Sequence, residues 1–236
     1  MSYTPLPLPL LPKVPLLFWE PPIGRLYNQR QVVPFETLAT AVGTPDAELD
    51  AGGQWVYNYA VGEYHNLPAQ VAITDSHTMM IAVKFDAFSA ANDQFFVGSY
   101  VSGSANSLLV CKIEVNGGAA DYLEVQFGNS AVWSVTQTSA WAPVAGQWYI
   151  ITVRHTSGDT DVDIWIDGVV QATTNPTANT GNATPSSQNF AIGLSGNVSV
   201  KQFDGKIGHC VVFGEALSDF NRALVEAGLK TLYGVA

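Results

Sequence analysis

The sequence predicts an all-β protein: two antiparallel sheets stacked as a sandwich, preceded by an extended Pro-rich arm and closed by one short C-terminal helix. Three observations carry this. From about Gln54 to Phe213, short apolar–polar alternations are separated by Gly, Asn, Ser and Asp clusters, the pattern of strands joined by tight turns. Apolar residues make up 47% and aromatic residues 11% of the 236, which is ample filling for the space between two sheets. The tail from Leu217 shows helical spacing.

Residues 1–50 hold nine of the 13 prolines and little periodicity. Pro5, Pro7, Pro9, Pro12 and Pro15 interrupt any helix in the apolar start, and Lys13 lies inside that stretch rather than before it. A cleaved secretory signal has the opposite layout. The segment reads as a polyproline-like arm. Such an arm cannot build its own core, so Leu6, Leu8, Leu10, Leu11, Leu16, Leu17, Phe18 and Trp19 are its candidate partner-binding residues. The stretch Pro34 to Val42 reads as one short helix, and the sandwich is assigned to residues 51–236.

Strands are expected at Thr78–Phe85, Gln94–Tyr100, Leu108–Val115, Tyr122–Phe127, Ala131–Gln137, Trp148–His155, Asp161–Ile166, Phe190–Leu194 and Lys206–Phe213. Asn116-Gly117-Gly118, Gly128-Asn129, Ser157-Gly158-Asp159 and Asp167-Gly168 supply turn residues between them. Asn175 to Gln188 is too poor in apolar residues for a strand and reads as a polar loop. The helix is placed at 218–233, with Ser218 as N-cap, Phe220, Ala223, Leu224 and Ala227 as its apolar stripe, and Gly234 as its stop.

Charged residues are 13% of the chain and the net charge is −10. That balance argues against binding that tracks a phosphate backbone, which needs clustered cations. No run of about 18 apolar residues exists to form a membrane span.

The run Trp148-Tyr149-Ile150-Ile151-Thr152-Val153, a turn, and Val162-Asp163-Ile164-Trp165-Ile166-Asp167-Gly168 resembles the central hairpin of the laminin-G-like, concanavalin A-like jelly-roll superfamily. Phe190-Ala191-Ile192-Gly193, Phe203-Asp204-Gly205-Lys206-Ile207-Gly208, and Val212-Phe213 with Ala216-Leu217-Ser218 follow in family order. The resemblance covers roughly residues 54–233. It implies a jelly roll of two sheets with about six or seven strands each. It leaves function open, because the family spans lectins, calcium-dependent binders, glucan hydrolases, adhesion modules and structural domains of virus particles.

No catalytic constellation stands out. The family's glucanases carry Glu-x-Asp-x-x-Glu, and the nearest match, Glu48-Leu49-Asp50, lacks the last Glu and precedes the sandwich. Asp121 and Glu124 have opposite strand parity and read as solvated charges at a strand edge. The four histidines, at 65, 77, 155 and 209, are scattered. Asp159, Asp161 and Asp163 alternate on one side, a hard-oxygen set that suits Ca2+, but they read more simply as solvent-facing strand residues, so no cofactor or metal site is assigned. Cys111 and Cys210 read as two buried free thiols.

Trp165 shares parity with Asp161 and Asp163, opposite to the core residues Ile164 and Ile166. An aromatic on a polar sheet face can stack on a sugar, so Trp165, Asp161 and Asp163 are the candidate ligand-binding residues. Trp133 and Trp141 are open to either core packing or a groove. Two functional expectations follow. The first is a non-enzymatic assembly protein on a virion surface, a phage capsid decoration or fibre component, its arm docking partner chains in a homo-oligomer or capsid-like lattice. The alternative is an extracellular carbohydrate-binding or adhesion module using the exposed aromatic.

Overall fold

The computed structural model describes residues 17–20, 25–28, 35–38, 40–60, 62–66, 75–86, 93–98, 110–114, 121–129, 131–181, 190–193 and 203–236. In chain order, their strands begin with β1 (Leu17–Glu20), β2 (Arg25–Asn28), β3 (Phe35–Leu38), β4 (Thr40–Val42), β5 (Asp46–Leu49) and β6 (Trp55–Tyr59). They continue through β7 (Tyr64–Asn66), β8 (His77–Phe85), β9 (Gln94–Gly98), β10 (Val110–Glu114), β11 (Tyr122–Gly128) and β12 (Trp133–Thr138). The last are β13 (Trp148–His155), β14 (Asp163–Ile166), β15 (Val169–Val170), β16 (Thr173–Ala178), β17 (Ala191–Ile192) and β18 (Gly205–Phe213), followed by helix α1 (Asp219–Tyr233). One sheet runs β15-β14-β13-β8-β18-β1-β2-β3, with β6 also on β18 and β5 on β6. The other runs β16-β12-β11-β10-β9-β17-β7-β4. All pairings are antiparallel. This is the sandwich the sequence predicts.

Alternation along β8, β13 and β18 decides what lies where. Ile81, Val83, Phe85, Ile151, Val153 and Val212 point between the sheets, where Phe85 meets Phe96 and Phe203 edge-on at 5.8 and 5.7 Å. Their neighbours Met80, Ala82, Ile150 and Val211 point to the opposite face, and there Val225, Leu229 and Tyr233 of α1 cover them. The central strand β8 is consequently buried at eight of its nine positions.

The helix has the expected ends. Ser218 Oγ accepts from the Asn221 N–H, and Gly234 adopts a left-handed φ of 64°. Its expected apolar stripe is inverted: Phe220 is 76% and Leu224 44% exposed, while Arg222, Val225, Glu226, Leu229 and Tyr233 are buried. Arg222 lies 4.3 Å over the Trp165 ring and is paired with Glu226. A planar guanidinium with an aromatic face below it and a carboxylate beside it is accommodated inside. Hydropathy spacing does not register that.

Several sequence expectations are corrected. The short helix at 34–42 is instead strands β3 and β4, and the start of the loop at 175–188 is strand β16, pairing with β12. Threonines suit an edge strand that buries little. Strands β5 and β6 form a hairpin across the boundary expected at residue 50. Leu17, Phe18 and Trp19 do not extend away from the domain: their backbone pairs in cis with Val212, Val211 and Cys210 of β18. The physical reason is an open edge, since β6 pairs only with Gly205–Ile207 of β18 and unpaired strand edges are costly to leave. Leu6, Leu8, Leu10, Leu11 and Leu16 lie outside the described residues. Cys210 is a buried free thiol, which burial pushes up to about 12; the Cys111 side chain also lies outside the description.

Two contacts near the end of α1 give predictions. A Cβ built on Gly208 would sit 1.9 Å from the Tyr233 hydroxyl, which accepts from the His209 N–H and bonds His209 Nδ1 at 2.7 Å. Gly208→Ala is expected to push the end of α1 off the sheet, at a cost of about 1–3 kcal/mol, visible as a lowered midpoint in thermal unfolding. An unchanged midpoint would show that the helix end does not depend on this approach. Burial lowers both His65 and His209 to about 4. The unfolded chain therefore binds their protons first as pH falls below about 6.5, so stability falls between about pH 6.5 and 4, by about 3 kcal/mol for His209. Asp167 and Asp204, raised by burial, partly offset this at the acid end of the window. Urea unfolding across that range measures the slope.

Candidate ligand-binding face

Leu123, Val125 and Phe127 of β11 turn into the core, so Tyr122, Glu124 and Gln126 face outward from the other side of their sheet. The register places Gln137 opposite Glu124, Val135 opposite Gln126, and Trp133 opposite Gly128. One strand further, Thr174 stands opposite Gln137 and Thr177 opposite Val135. On the other flank, Val110, Lys112 and Glu114 of β10 stand opposite Gln126, Glu124 and Tyr122. Together the β11, β12 and β16 positions form a largely polar face with Tyr122 near one end and Trp133 near the other, about 20 Å apart at roughly 3.4 Å per strand residue.

Glu124 is the centre of this face. It is only 5% exposed, and it is held from two sides. Gln126 Nε2 donates to Oε1 at 2.5 Å and Gln137 Nε2 to Oε2 at 2.7 Å. A carboxylate only accepts, so both glutamines must turn their NH2 groups toward it. Their carbonyl oxygens are left for other donors. Gln126 Oε1 is buried and has no hydrogen-bond partner, a group that gains free energy when a donor arrives. Tyr122, Gln126, Trp133 and Gln137 are half-buried.

The sequence-derived candidates lie elsewhere. Trp165 is outward-facing as parity requires but only 6% exposed. Arg222 of α1 and Arg154 of β13 lie 4.3 and 4.8 Å from its ring, so it is a docking point for the helix and not a platform for a sugar. Asp163 is a partner of Arg154 at 2.7 Å, and the same guanidinium reaches Asp219 at 2.8 Å and the Leu217 carbonyl at 2.9 Å. Asp161 is exposed. Among the described residues no three His, Cys, Asp or Glu side chains gather at metal-ligand spacing. Trp141 packs on the core, edge-on to Tyr149 at 5.2 Å.

The sequence reads Glu124 as a solvated charge, and the structure buries it. Its signal lay in strand register: Glu124 and Gln126 share parity, and the Gly128-Asn129 turn brings Gln137 opposite Glu124.

Residues 59–220 match the family model of the concanavalin A-like lectin/glucanases superfamily. The chain belongs to this superfamily. A comparison with curated protein sequences finds no match. Among solved structures it is similar to domain 4 of AbnA, an extracellular arabinanase from Geobacillus stearothermophilus, in complex with arabinotriose. The identity is 18%, 83% of this chain and 88% of that one are covered, and the TM-score is 0.55. It is also similar to the receptor-binding domain of botulinum neurotoxin D (12% identity, 92% and 53% covered, TM-score 0.61). A third is Trypanosoma rangeli sialidase in complex with sialic acid (15%, 92% and 33%, 0.57). The chain thus spans about half of the toxin domain and a third of the sialidase. At these identities the likeness is one of fold. No described helix is long and apolar enough to cross a membrane.

The buried Trp165 makes one expectation sharp. Trp165→Ala removes the surface on which Arg222 and Arg154 rest and is expected to cost about 3–5 kcal/mol, measured by denaturant unfolding. A loss below 1 kcal/mol would mean that α1 is held without it.

Proposed function

We propose that this domain is a non-catalytic carbohydrate-binding module, working outside the cell, that lays an oligosaccharide across the outer face of β11 and β12. The observation that carries the reading is Glu124, a nearly buried carboxylate fixed by two amides on a sheet face. Fixed carboxylate and amide oxygens accept hydrogen bonds from sugar hydroxyls without first losing side-chain entropy. Tyr122 and Trp133 offer half-buried aromatic surface on which the apolar side of a sugar ring can rest. The distance between them suits a chain of several sugars better than one. The arabinotriose bound to the arabinanase domain, and the sialic acid in the sialidase complex, support glycan as the class of ligand.

The reading of a virion assembly protein, with partner chains in a lattice, gains no such support. Three of the arm residues assigned to partner docking pair within their own sheet by backbone, and the neighbours named above are sugar-processing enzymes and a toxin receptor-binding domain.

An array of neutral and charged oligosaccharides tests the proposal directly. Binding should appear for the wild type and fall about tenfold in Trp133→Ala, the size expected when one aromatic contact is removed, with thermal stability of the variant checked in parallel. An array with no signal for the wild type would overturn the reading.

A further inference from the structure

We propose that Ser134, Thr136 and Asn129 are positioning residues for the binding face. Their buried hydrogen bonds hold β12 in one register, so that Trp133 stands in place before any ligand arrives. This rests on the carbohydrate-binding reading above and adds the residues that make its platform rigid. The observation behind it is the inward side of β12. A sandwich strand ordinarily turns apolar residues to the interior, yet here the inward positions are Ser134, Thr136 and Thr138, all buried.

Each of the three hydroxyls is bonded to the backbone of another segment. Ser134 Oγ donates to the Thr180 carbonyl at 2.7 Å and accepts from the N–H groups of Asn179 and Thr180 at 3.2 and 3.0 Å. Thr136 Oγ1 accepts from the Val162 N–H at 3.1 Å, at the entry to β14 in the opposite sheet. Thr138 Oγ1 accepts from the Leu123 N–H of β11 at 3.0 Å. Asn129 acts from the turn before β12. Its Oδ1 accepts from the N–H groups of Ala131 and Val132, and its Nδ2 donates to Thr180 Oγ1 at 3.0 Å. Trp133 is thus bracketed, with the residue on either side of it fastened.

Apolar contacts are non-directional and tolerate a small slide, whereas hydrogen bonds do not. A slip of two residues along β12 would leave every side chain on its own face but break all of these bonds. The neighbour on the open side does little to prevent it. Where β12 meets β16 the register shifts between Val135 and Gln137, and Asn175 and Pro176 stand between their partners Thr177 and Thr174. Pro176 brings no N–H to the ladder. Satisfied buried polar groups favour one arrangement over others, and a ring already held in place costs little ordering when a ligand binds.

The test labels the full chain with 5-fluorotryptophan and follows the Trp133 line, identified by its loss in Trp133→Phe, by fluorine NMR. The wild type should give one narrow Trp133 line. Ser134→Ala and Thr136→Val, each read where thermal unfolding shows it folded, are expected to split or broaden that line. Val225→Ala, which loosens the helix on the other sheet, should lower stability and leave the line unchanged. Titration calorimetry then uses arabinotriose and the tightest-binding oligosaccharide of the array. Both β12 variants should bind about tenfold more weakly than the wild type, with a less favourable entropy, and Val225→Ala should bind as the wild type does. An unchanged Trp133 line in both folded β12 variants would overturn the positioning role, whether or not a glycan binds. A line that responds while every glycan fails to bind would instead overturn the carbohydrate reading, and with it the purpose assigned to these bonds.

Discussion

The constraint on which the rest of the molecule depends is that one sheet is apolar on both faces. In β8 and β13 and along much of β18, the residues between those aimed at the interior are themselves Met, Ala, Ile and Val. A strand of this composition is stable only when a second layer covers its far side, at about 25 cal/mol for each Å² of apolar surface withdrawn from water. Helix α1 is that second layer. Its demands propagate: Gly208 has no side chain because the Tyr233 hydroxyl occupies the space, and Trp165 is sealed by Arg222. The network of Arg154, Asp163 and Asp219 then ties the start of the helix to β13 and β14.

The other sheet bears no such requirement in β11 and β12. In β11 the alternation is apolar inward and polar outward, the habit of an antiparallel sheet with one face turned from the core, while β12 turns Ser134, Thr136 and Thr138 inward. The division of labour explains why the aromatic on the helix-bearing sheet, Trp165, is structural while the half-buried Trp133 on the opposite sheet is available for contact. A helix already occupies the first face, and a ligand can occupy the second.

How much of this the sequence discloses depends on whether a feature is local. The hairpin of β13 and β14, the turn at Asp167-Gly168 and the caps of α1 are read within a few residues, and all fall where the pattern places them. The buried face of α1 does not, because Arg222 and Glu226 are buried on account of each other and of Trp165, 57 residues away in sequence by simple subtraction from Arg222. Strands β1 to β5 escape detection because prolines and short length hide their alternation, and because the pairing of β1 with β18 is a non-local event. The Glu124 cluster was hidden in the same way: a charge in a strand looks solvated until the register shows two glutamine amides converging on it.

That cluster also separates what the fold determines from what it leaves to individual side chains. Membership of the concanavalin A-like superfamily alone cannot say which ligand is accepted. Individual side chains add to the fold at Glu124, whose carboxylate fixes the orientation of Gln126 and Gln137 by accepting one N–H from each.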